Sequence, residues 1–332
     1  MILKVTRWSL FLLAATPFAM AGERLGDIEF FGYQGFDVAK IRAALPVHEG
    51  GEFSQQTAVS LIREAVAAAI GQQPTDVSTI CCDEPGNRLL FIGLPGSSYK
   101  SFAYHPEPSS KDRLPRAIMG LYSKLDRAIE SAVRKGGDAA EEDDSNGYAL
   151  IKDPRARALQ VAVRQWALKH EPELLRTLEF SHSAAQRRVA ADALGYARQS
   201  RAQILALVRA ARDSDEEVRN NATRALRVLV RSNAELGRDV QPDTFIEMLN
   251  SGSWTDRNKS ASLLEQLTMS RNAELLGKIR SLALTSLIEM ASWRRAGHAY
   301  FSRMVLGRVR GLPEDRLKDL AWNGPVSPLL LF

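Results

Sequence analysis

The feature that most constrains the fold of this chain is an internal repeat in its C-terminal half. The run Arg187–Leu194 recurs 32 residues later as Arg219–Leu226, and again 38 residues after that as Arg257–Leu264. Each copy begins with arginine, has a small residue three positions on, and ends in leucine. A single helix pair cannot bury its apolar face, so stacked pairs must supply the core. The sequence therefore predicts stacked helix pairs from Asp153 onward.

The segment Asp213–Leu226, DSDEEVRNNATRAL, resembles the HEAT-like repeat of phycobilin lyases and many bacterial adaptor proteins. The resemblance covers roughly residues 153–310 and implies an α-helical solenoid over residues 151–332, in a chain that is mainly α overall. In HEAT repeats the Asp/Arg pair is generally structural. Asp215 and Arg219 stand four residues apart, so they can pair along the second helix of a repeat or across repeats.

Residues 1–21 have the three parts of a secretory signal peptide. Lys4 and Arg7 form a positive start, Trp8–Leu13 is a short apolar run, and Ala19–Ala21 is a small-x-small cleavage site. The apolar run is well short of the ~20 residues that a membrane span needs. We expect cleavage near Ala21 and a periplasmic or secreted mature chain without a transmembrane span. An uncleaved N-terminal anchor helix is the alternative.

The charge of the chain is unevenly distributed around a formal net value of +5. From Lys152 onward there are 29 Lys+Arg against 20 Asp+Glu, and before it 15 against 19. Basic surfaces can bind nucleic acid or anionic lipid. Only five of those 29 residues are lysine, and basic runs with interleaved aromatics are absent. Together with export, this disfavours nucleic acid and leaves envelope association possible, and the opposite charges favour contact between the two parts.

Residues 22–105 predict a small α+β domain of β-α-α-β-β order. Gly32 at the end of the first strand, and Gly50, Gly51, Phe53 and Ser54 before the second helix, resemble the pattern of a polypeptide-transport-associated (POTRA) domain. The resemblance covers about 70 residues, in a single copy with no β-barrel sequence after it. It implies peptide binding by strand addition at a sheet edge. An unrelated small α+β domain is the alternative.

Residues 106–150 predict a helix followed by an acidic flexible linker. Lys111–Lys135 carries an apolar stripe at helical spacing. The run Gly136–Gly147 has five acids and no base, which is typical of a solvated linker. The acids are crowded together and no Glu closes a twelve-residue loop, so a calcium loop is not indicated.

The two cysteines, Cys81 and Cys82, are adjacent in the sequence. Neighbours in a strand point to opposite faces and can form a disulfide only through a strained ring. We expect two unbridged strand residues, with a vicinal disulfide or an intermolecular bridge as alternatives.

Aromatic and guanidinium groups near the second helices are the candidates for partner binding, because such groups suit interface hot spots. The candidate residues are Arg188, Arg219, Trp254, Arg257, Asn258, Trp293, Arg294 and His298. The alternative is structural: arginines pair across repeats, tryptophans fill the space between repeats, and His298 is packed or hydrogen-bonded. If the arginines bind a partner, Arg219→Glu with Arg257→Glu weakens that binding while the fold survives.

The sequence has no motif of catalytic, metal or cofactor chemistry. None of the five histidines lies within four residues of another, and the GxSxG elbow, the P-loop and the Rossmann glycine pattern are absent. We therefore predict no catalytic residue, cofactor or metal, and a non-enzymatic adaptor or scaffold for a protein or peptide partner. The alternatives are an accessory factor in envelope assembly or secretion, and a thiol redox or enzymatic protein using Cys81 and Cys82.

Overall fold

A computed structural model describes residues 23–81, 86–322, 324 and 327–330 of the chain. The predicted signal peptide, 1–21, lies outside the described residues. As predicted, the chain is mainly helical, with a small sheet near its N-terminus. Within the described residues, no helix combines the length and the apolar character that crossing a bilayer requires.

The elements follow one another as a small α+β unit, a connecting region and a long helical region. The N-terminal elements are β1 (Leu25–Phe31), α1 (Val38–Ala44), α2 (Gln55–Ile70), β2 (Asp76–Ile80) and β3 (Arg88–Gly93). The connecting elements are α3 (Arg116–Lys135), a 3-10 helix (Gly137–Ala140), β4 (Glu142–Asp143) and β5 (Leu150–Ile151). The helices that follow are α4 (Pro154–Ala167), α5 (Glu171–Phe180), α6 (Ala184–Leu194), α7 (Arg201–Ala210), α8 (Glu216–Ser232), α9 (Pro242–Met248), α10 (Trp254–Leu267), α11 (Ala273–Ala291), α12 (Ala296–Val309), α13 (Glu314–Trp322) and α14 (Ser327–Leu330). Two further 3-10 helices are Ala234–Asp239 and Thr268–Ser270.

The N-terminal elements occur in the predicted β-α-α-β-β order. They form a three-stranded sheet of order β1-β3-β2, in which β3 is parallel to β1 and antiparallel to β2. Gly32 ends the first strand with φ +68°, and a Cβ there would lie 2.4 Å from the Leu94 carbonyl oxygen. Only glycine fits both the left-handed backbone and the close approach.

Both faces of this sheet are covered. Along β3, Leu90 and Ile92 pack against α1 and α2, whereas Leu89 and Phe91 belong to the same apolar core as the C-terminal helices. Alternate residues of a strand point to opposite faces, so the fully apolar run of β3 is what a strand buried on both sides requires. The α+β unit is therefore packed onto the helical region, in agreement with the contact that the opposite charges favour.

The repeated sequence segments fall on α6, α8 and α10, which with α12 we call the second helices. Neighbouring second helices contact one another along the chain, α6 with α8, α8 with α10, and α10 with α12. Side-chain caps fix where two of them start: Asp215 accepts from the Val218 N–H, and Ser253 from the Asp256 N–H.

The first arginine of each repeated segment is buried and joins one repeat to the next. Each guanidinium donates to the backbone carbonyl oxygen six residues before it. Each also pairs with a carboxylate further along the chain, in the pairs Arg187–Asp213 (2.7 Å), Arg219–Asp256 (2.8 Å) and Arg257–Glu289 (3.1 Å). We call these three arginines the buried row. The second alternative for Arg219, pairing across repeats, is the one that the structure has, while Asp215 caps its helix.

Candidate functional site

Most of the predicted partner-binding residues lie where the sheet meets the helices. The Phe91 ring stands at the centre, with its centroid 5.0 Å from Trp254, 5.0 Å from Trp293 and 5.4 Å from His298. The Trp293 indole N–H donates to the Phe30 carbonyl oxygen at 3.0 Å. These aromatic groups are packed within the chain, so they do not form an open surface.

Arg294 also joins the two parts of the chain. Its guanidinium pairs with Asp27 at 3.2 Å, Glu29 at 3.0 Å and Glu49 at 2.5 Å, all three from the α+β unit. The hydrogen bond from Arg294 is the main reason that the pKa of Glu49 falls to about 2. Arg219 and Arg257 belong to the buried row. Six of the eight predicted residues therefore lie either where the sheet meets the helices or in the buried row.

The remaining two predicted residues, Arg188 and Asn258, occupy a different helix position from the buried row. The repeat register aligns Arg187, not Arg188, with Arg219 and Arg257. Arg188 and Asn258 stand one position later, where the side chain leaves the core. Arg188 pairs with Asp126 of α3 at 3.3 Å and is 40% exposed, and Asn258 is half-buried. This position marks the open side of the second helices.

The open side of α8 carries a second set of arginines, which the sequence-based prediction missed. Arg224, Arg227 and Arg231 follow one another at spacings of three and four residues, so they form one stripe along the helix. We call these three the open row. Helical spacing alone could have indicated them, because at ~100° per residue the three arginines lie roughly 80–140° around α8 from Arg219, the member of the buried row on this helix.

A polar cavity of about 330 Å³ lies at one end of the open row, between α3, the β4–β5 hairpin, α6 and α8. Tyr122 donates to Asp192 at 2.9 Å, and Arg224 lies 3.5 Å from the other oxygen of that carboxylate. Burial raises the pKa of Asp192, an effect that Arg224 and Tyr122 partly offset. Burial, and then the Asp192 charge, raise the pKa of Tyr122 well above its usual range.

Lys259 also lines this cavity. Its ammonium has no hydrogen-bond or ion-pair partner among the residues that the structure describes. Burial, followed by the charge of Arg224, lowers its pKa to about 8. Lys259 therefore adds a positive charge beside Arg224 that Glu142 and Glu217 offset only in part, without an ion pair to it among the described residues.

A groove of about 1270 Å³ lies at the other end of the open row. Arg227 and Arg231 enter it from α8, and Tyr300, Phe301 and Met304 line it from α12. The Arg227 guanidinium stands 5.1 Å from the centroid of the Phe301 ring, and its buried Nε has no hydrogen-bond partner in the part of the chain that the structure describes. We call this space, defined by those five residues, the arginine groove. Cationic and aromatic groups beside apolar ones are the composition of a protein-binding surface.

The acidic run predicted to be a flexible linker lies across the open row. We call residues 141–144 the acidic segment. Asp144 pairs with Arg231 at 3.0 Å and stands 3.8 Å from Arg227, and Glu142 pairs with Arg224. Burial tends to raise the pKa of Glu142, but the neighbouring Arg224 outweighs it, so that this pKa is lowered. The acids that looked like a solvated tether are thus bound to the chain's own arginines.

The chemistry that the described residues offer is recognition of charge. Among them, no three His, Cys, Asp or Glu side chains are grouped to hold a metal ion. Cys81 follows β2 and is disulfide-bonded, so the expectation of an unbridged residue is wrong for it, because its sulfur is already oxidised. The other cysteine, Cys82, lies outside the described residues.

Comparison with known proteins adds no family to these observations. No protein-family model matches the chain, and no curated protein has a significantly similar sequence. The HEAT-like and POTRA-like resemblances therefore stay predictions that depend on the residues given above.

Proposed function

We propose that this chain is an exported, non-enzymatic interaction protein that holds an extended segment of a partner protein in the arginine groove. The observation that carries the proposal is the open row, three arginines in one stripe that continues into a groove lined by Tyr300 and Phe301. Tyrosine and arginine are the residues that most often dominate binding energy at interfaces. A stripe of this kind on a folded helix gives a partner a rigid surface, which reduces the entropy lost on binding.

The architecture we propose is a HEAT-like solenoid braced by a POTRA-like unit. The row of contacting second helices and the arginine that links each repeat to the next support the first part. The β-α-α-β-β order and the left-handed Gly32 support the second. Because one face of the sheet packs on the helices, the unit contributes rigidity to the surface that binds the partner.

An accessory role in envelope assembly is the second candidate, and the sheet edge is the feature on which it depends. Strand addition needs an edge with unpaired backbone groups. At the start of β1 that edge is occupied by the chain itself: the Leu25 N–H donates to the Gly51 carbonyl oxygen at 3.0 Å, and the Gly50 N–H to that of Leu25 at 2.6 Å. The observation favours the groove over the β1 edge as the binding surface.

The experiment that tests the groove is crosslinking from inside it. The full chain, tagged and carrying a photo-crosslinking residue in place of Met269, which lines the groove and is 60% exposed, is irradiated in its native cell envelope. The captured peptide is identified by mass spectrometry. We expect one reproducible partner segment, and we expect it to be lost when Tyr300→Ala and Arg231→Glu are combined.

The matched control for that experiment is Arg134→Glu. Arg134 is an exposed arginine of α3 that pairs with Glu130 one turn away and lies outside the groove. It makes the same charge change on the surface, so capture should persist. Capture that is equally strong in the groove variant, or equally weak in the control, contradicts a binding site in the groove.

A further inference from the structure

The acidic segment binds the helices with alternate residues. Glu142 and Asp144 pair with the open row, whereas Glu141 pairs with Lys152 at 2.7 Å and Asp143 with Arg157 at 3.4 Å. Alternation of this kind is the property of an extended strand, whose successive side chains point to opposite sides. The segment therefore presents two carboxylates, about 7 Å apart, to α8.

The contacts that hold the segment on α8 are of an exchangeable kind. In each pair one side chain is the more accessible: Arg231 is 52% exposed against 11% for Asp144, and Glu142 is 36% exposed against 25% for Arg224. Water and salt compete with an ion pair at the member that they can reach, so such a pair adds less net stability than a fully buried one. The apolar anchor of this region lies further along the chain, at the buried Leu150 and Ile151. To leave the open row, residues 141–144 must also open the β4–β5 pairing of Glu142 with Ile151 and of Asp143 with Leu150, while Leu150 and Ile151 stay buried.

We propose that the acidic segment is an internal stand-in for the partner, and that the partner displaces it with an extended stretch carrying two acidic side chains two residues apart. The inference deepens the proposed function and rests on it, since it assigns the chemistry of the partner at the same surface. The segment shows which kind of peptide the open row accepts, because it already binds there in an extended form. It also makes binding selective: a neutral peptide gains too little to displace two carboxylates.

Two cationic groups in or beside the open row have polar atoms that the acidic segment does not bind, and such a partner could bind them. The Lys259 ammonium beside the polar cavity has no partner within the described residues, and Arg227 leaves its buried Nε without a hydrogen bond. An unsatisfied buried donor is costly, so a ligand that supplies an acceptor to Arg227 gains more than the internal segment does. A partner longer than the four residues of the segment could reach both groups at once.

The test uses a fluorescent peptide with the sequence of residues 138–147 as its probe, and the full chain in three forms. In the first variant, Glu142→Gln with Asp144→Asn removes the two carboxylates that face α8. In the second, Glu141→Gln with Asp143→Asn removes the two that face away, which is the same charge change on the opposite side. Affinity is measured by fluorescence polarisation, and circular dichroism checks that all three forms are folded.

We expect the first variant to bind the probe about tenfold more tightly than the unaltered chain, as it would if the segment covers the open row about nine-tenths of the time. The second variant should bind within about twofold of the unaltered chain. Adding Arg231→Gln to the first variant should remove the gain. Equal affinity of the first variant and the unaltered chain for the probe overturns the inference. An equally large gain in affinity in the second variant also overturns it. So does an equally large gain for a probe that carries Gln and Asn in place of Glu142 and Asp144.

A measurement without substitutions keeps the inference testable if a variant fails to fold. The Lys152 N–H donates to the Glu141 carbonyl oxygen, and the Gly147 N–H to that of Asp144. Saturating probe should speed hydrogen exchange at these two amides, and unchanged exchange would refute displacement. If the displacement tests fail but the partner is still crosslinked from the arginine groove, only the stand-in role of the acidic segment is refuted. If the partner is not crosslinked from the groove, the proposed function itself is refuted.

Discussion

Two sets of arginines lie on the second helices: the buried row has one member on each of α6, α8 and α10, and the open row has all three of its members on α8. Those of the buried row, such as Arg257, are shielded from water and pair with carboxylates brought by the next repeat. Those of the open row, such as Arg231, pair with carboxylates of a short surface segment. The residue type and the pairing chemistry are the same, but the degree of burial differs.

The difference shows that burial, more than the presence of a partner, decides what an ion pair does. Breaking a buried pair leaves a desolvated charge, so the pair is effectively permanent. An exposed pair exchanges readily with water, salt or another ligand. The buried row therefore sets the spacing of the repeats, and the open row remains available for binding.

The largest effect should come from Arg257→Met, which leaves Glu289 buried without its cation. Glu289 also accepts hydrogen bonds from the Gly32 and Gln34 N–H groups of the α+β unit, so the loss should loosen both parts. We expect the free energy of unfolding, measured by chemical denaturation, to fall by about 3–5 kcal/mol. For the same reason we expect Arg219→Glu with Arg257→Glu to unfold the helical region rather than leave it intact. A loss below about 1 kcal/mol for Arg257→Met would erase the distinction between the rows.

A second effect concerns pH at the seam between sheet and helices. Burial, then the charges of Lys259 and Arg295, lower the pKa of His298 from 6.5 to about 4. The unfolded chain takes up a proton below pH 6.5 while the folded ring stays neutral, so the stability is complete above that pH and is lost as pH falls toward 4. Between pH 7 and 4.5 we expect the unaltered chain to lose about 1–2 kcal/mol more than His298→Gln. Parallel thermal-denaturation curves for the two would contradict a neutral, packed imidazole.

A smaller effect should appear at Lys259, and with the opposite sign. Its pKa is lowered from 10.5 to about 8, so at neutral pH the Lys259 charge destabilises the folded chain relative to the unfolded chain. We expect Lys259→Met to stabilise the fold by about 1 kcal/mol at pH 7. The advantage should fade as pH rises from 8 toward 10.5, where the unaltered chain regains stability. Unfolding titrations at several pH values measure it, and a gain that is constant with pH would contradict the assignment.

The smallest effect on stability should come from Arg231→Met. The Arg231 side chain is half-exposed, although its partner Asp144 is not, so we expect a change within about 0.5 kcal/mol in the same denaturation assay. Capture of the partner segment from the groove should nevertheless be lost. A stability loss comparable to that of Arg257→Met would place the open row among the structural contacts.

The repeat register in the sequence was enough to predict that the C-terminal half is helical, but not the role of each arginine. The spacing of Arg187, Arg219 and Arg257 marks equivalent positions, yet the pattern does not say whether that position faces the core, because arginine is usually exposed. Each arginine faces the core because it pairs with a carboxylate that lies 26 to 37 residues away in the sequence. Pairing over such distances depends on how the helices stack and cannot be read from local spacing.

The aromatic candidates failed as surface residues for a related reason. Trp254 and Trp293 look like interface anchors, and they are anchors of an interface between two parts of one chain. Composition cannot distinguish an internal interface from an external one, since both use aromatic and guanidinium groups. The acidic segment raises the same difficulty: crowded acids are typical of a solvated tether, and only the fold shows which arginines lie against them.

The seam between the sheet and the helices also has a consequence in time. Gly32 binds Glu289, which is 257 residues further along the chain. During synthesis the α+β unit emerges first, and the face of its sheet that carries Leu89 and Phe91 has no cover until the residues from Trp254 to His298 have been made. Contacts of such long sequence separation form slowly. The nascent chain thus carries an exposed apolar surface through most of its synthesis, and this surface is covered only when the residues from Trp254 to His298 have been added.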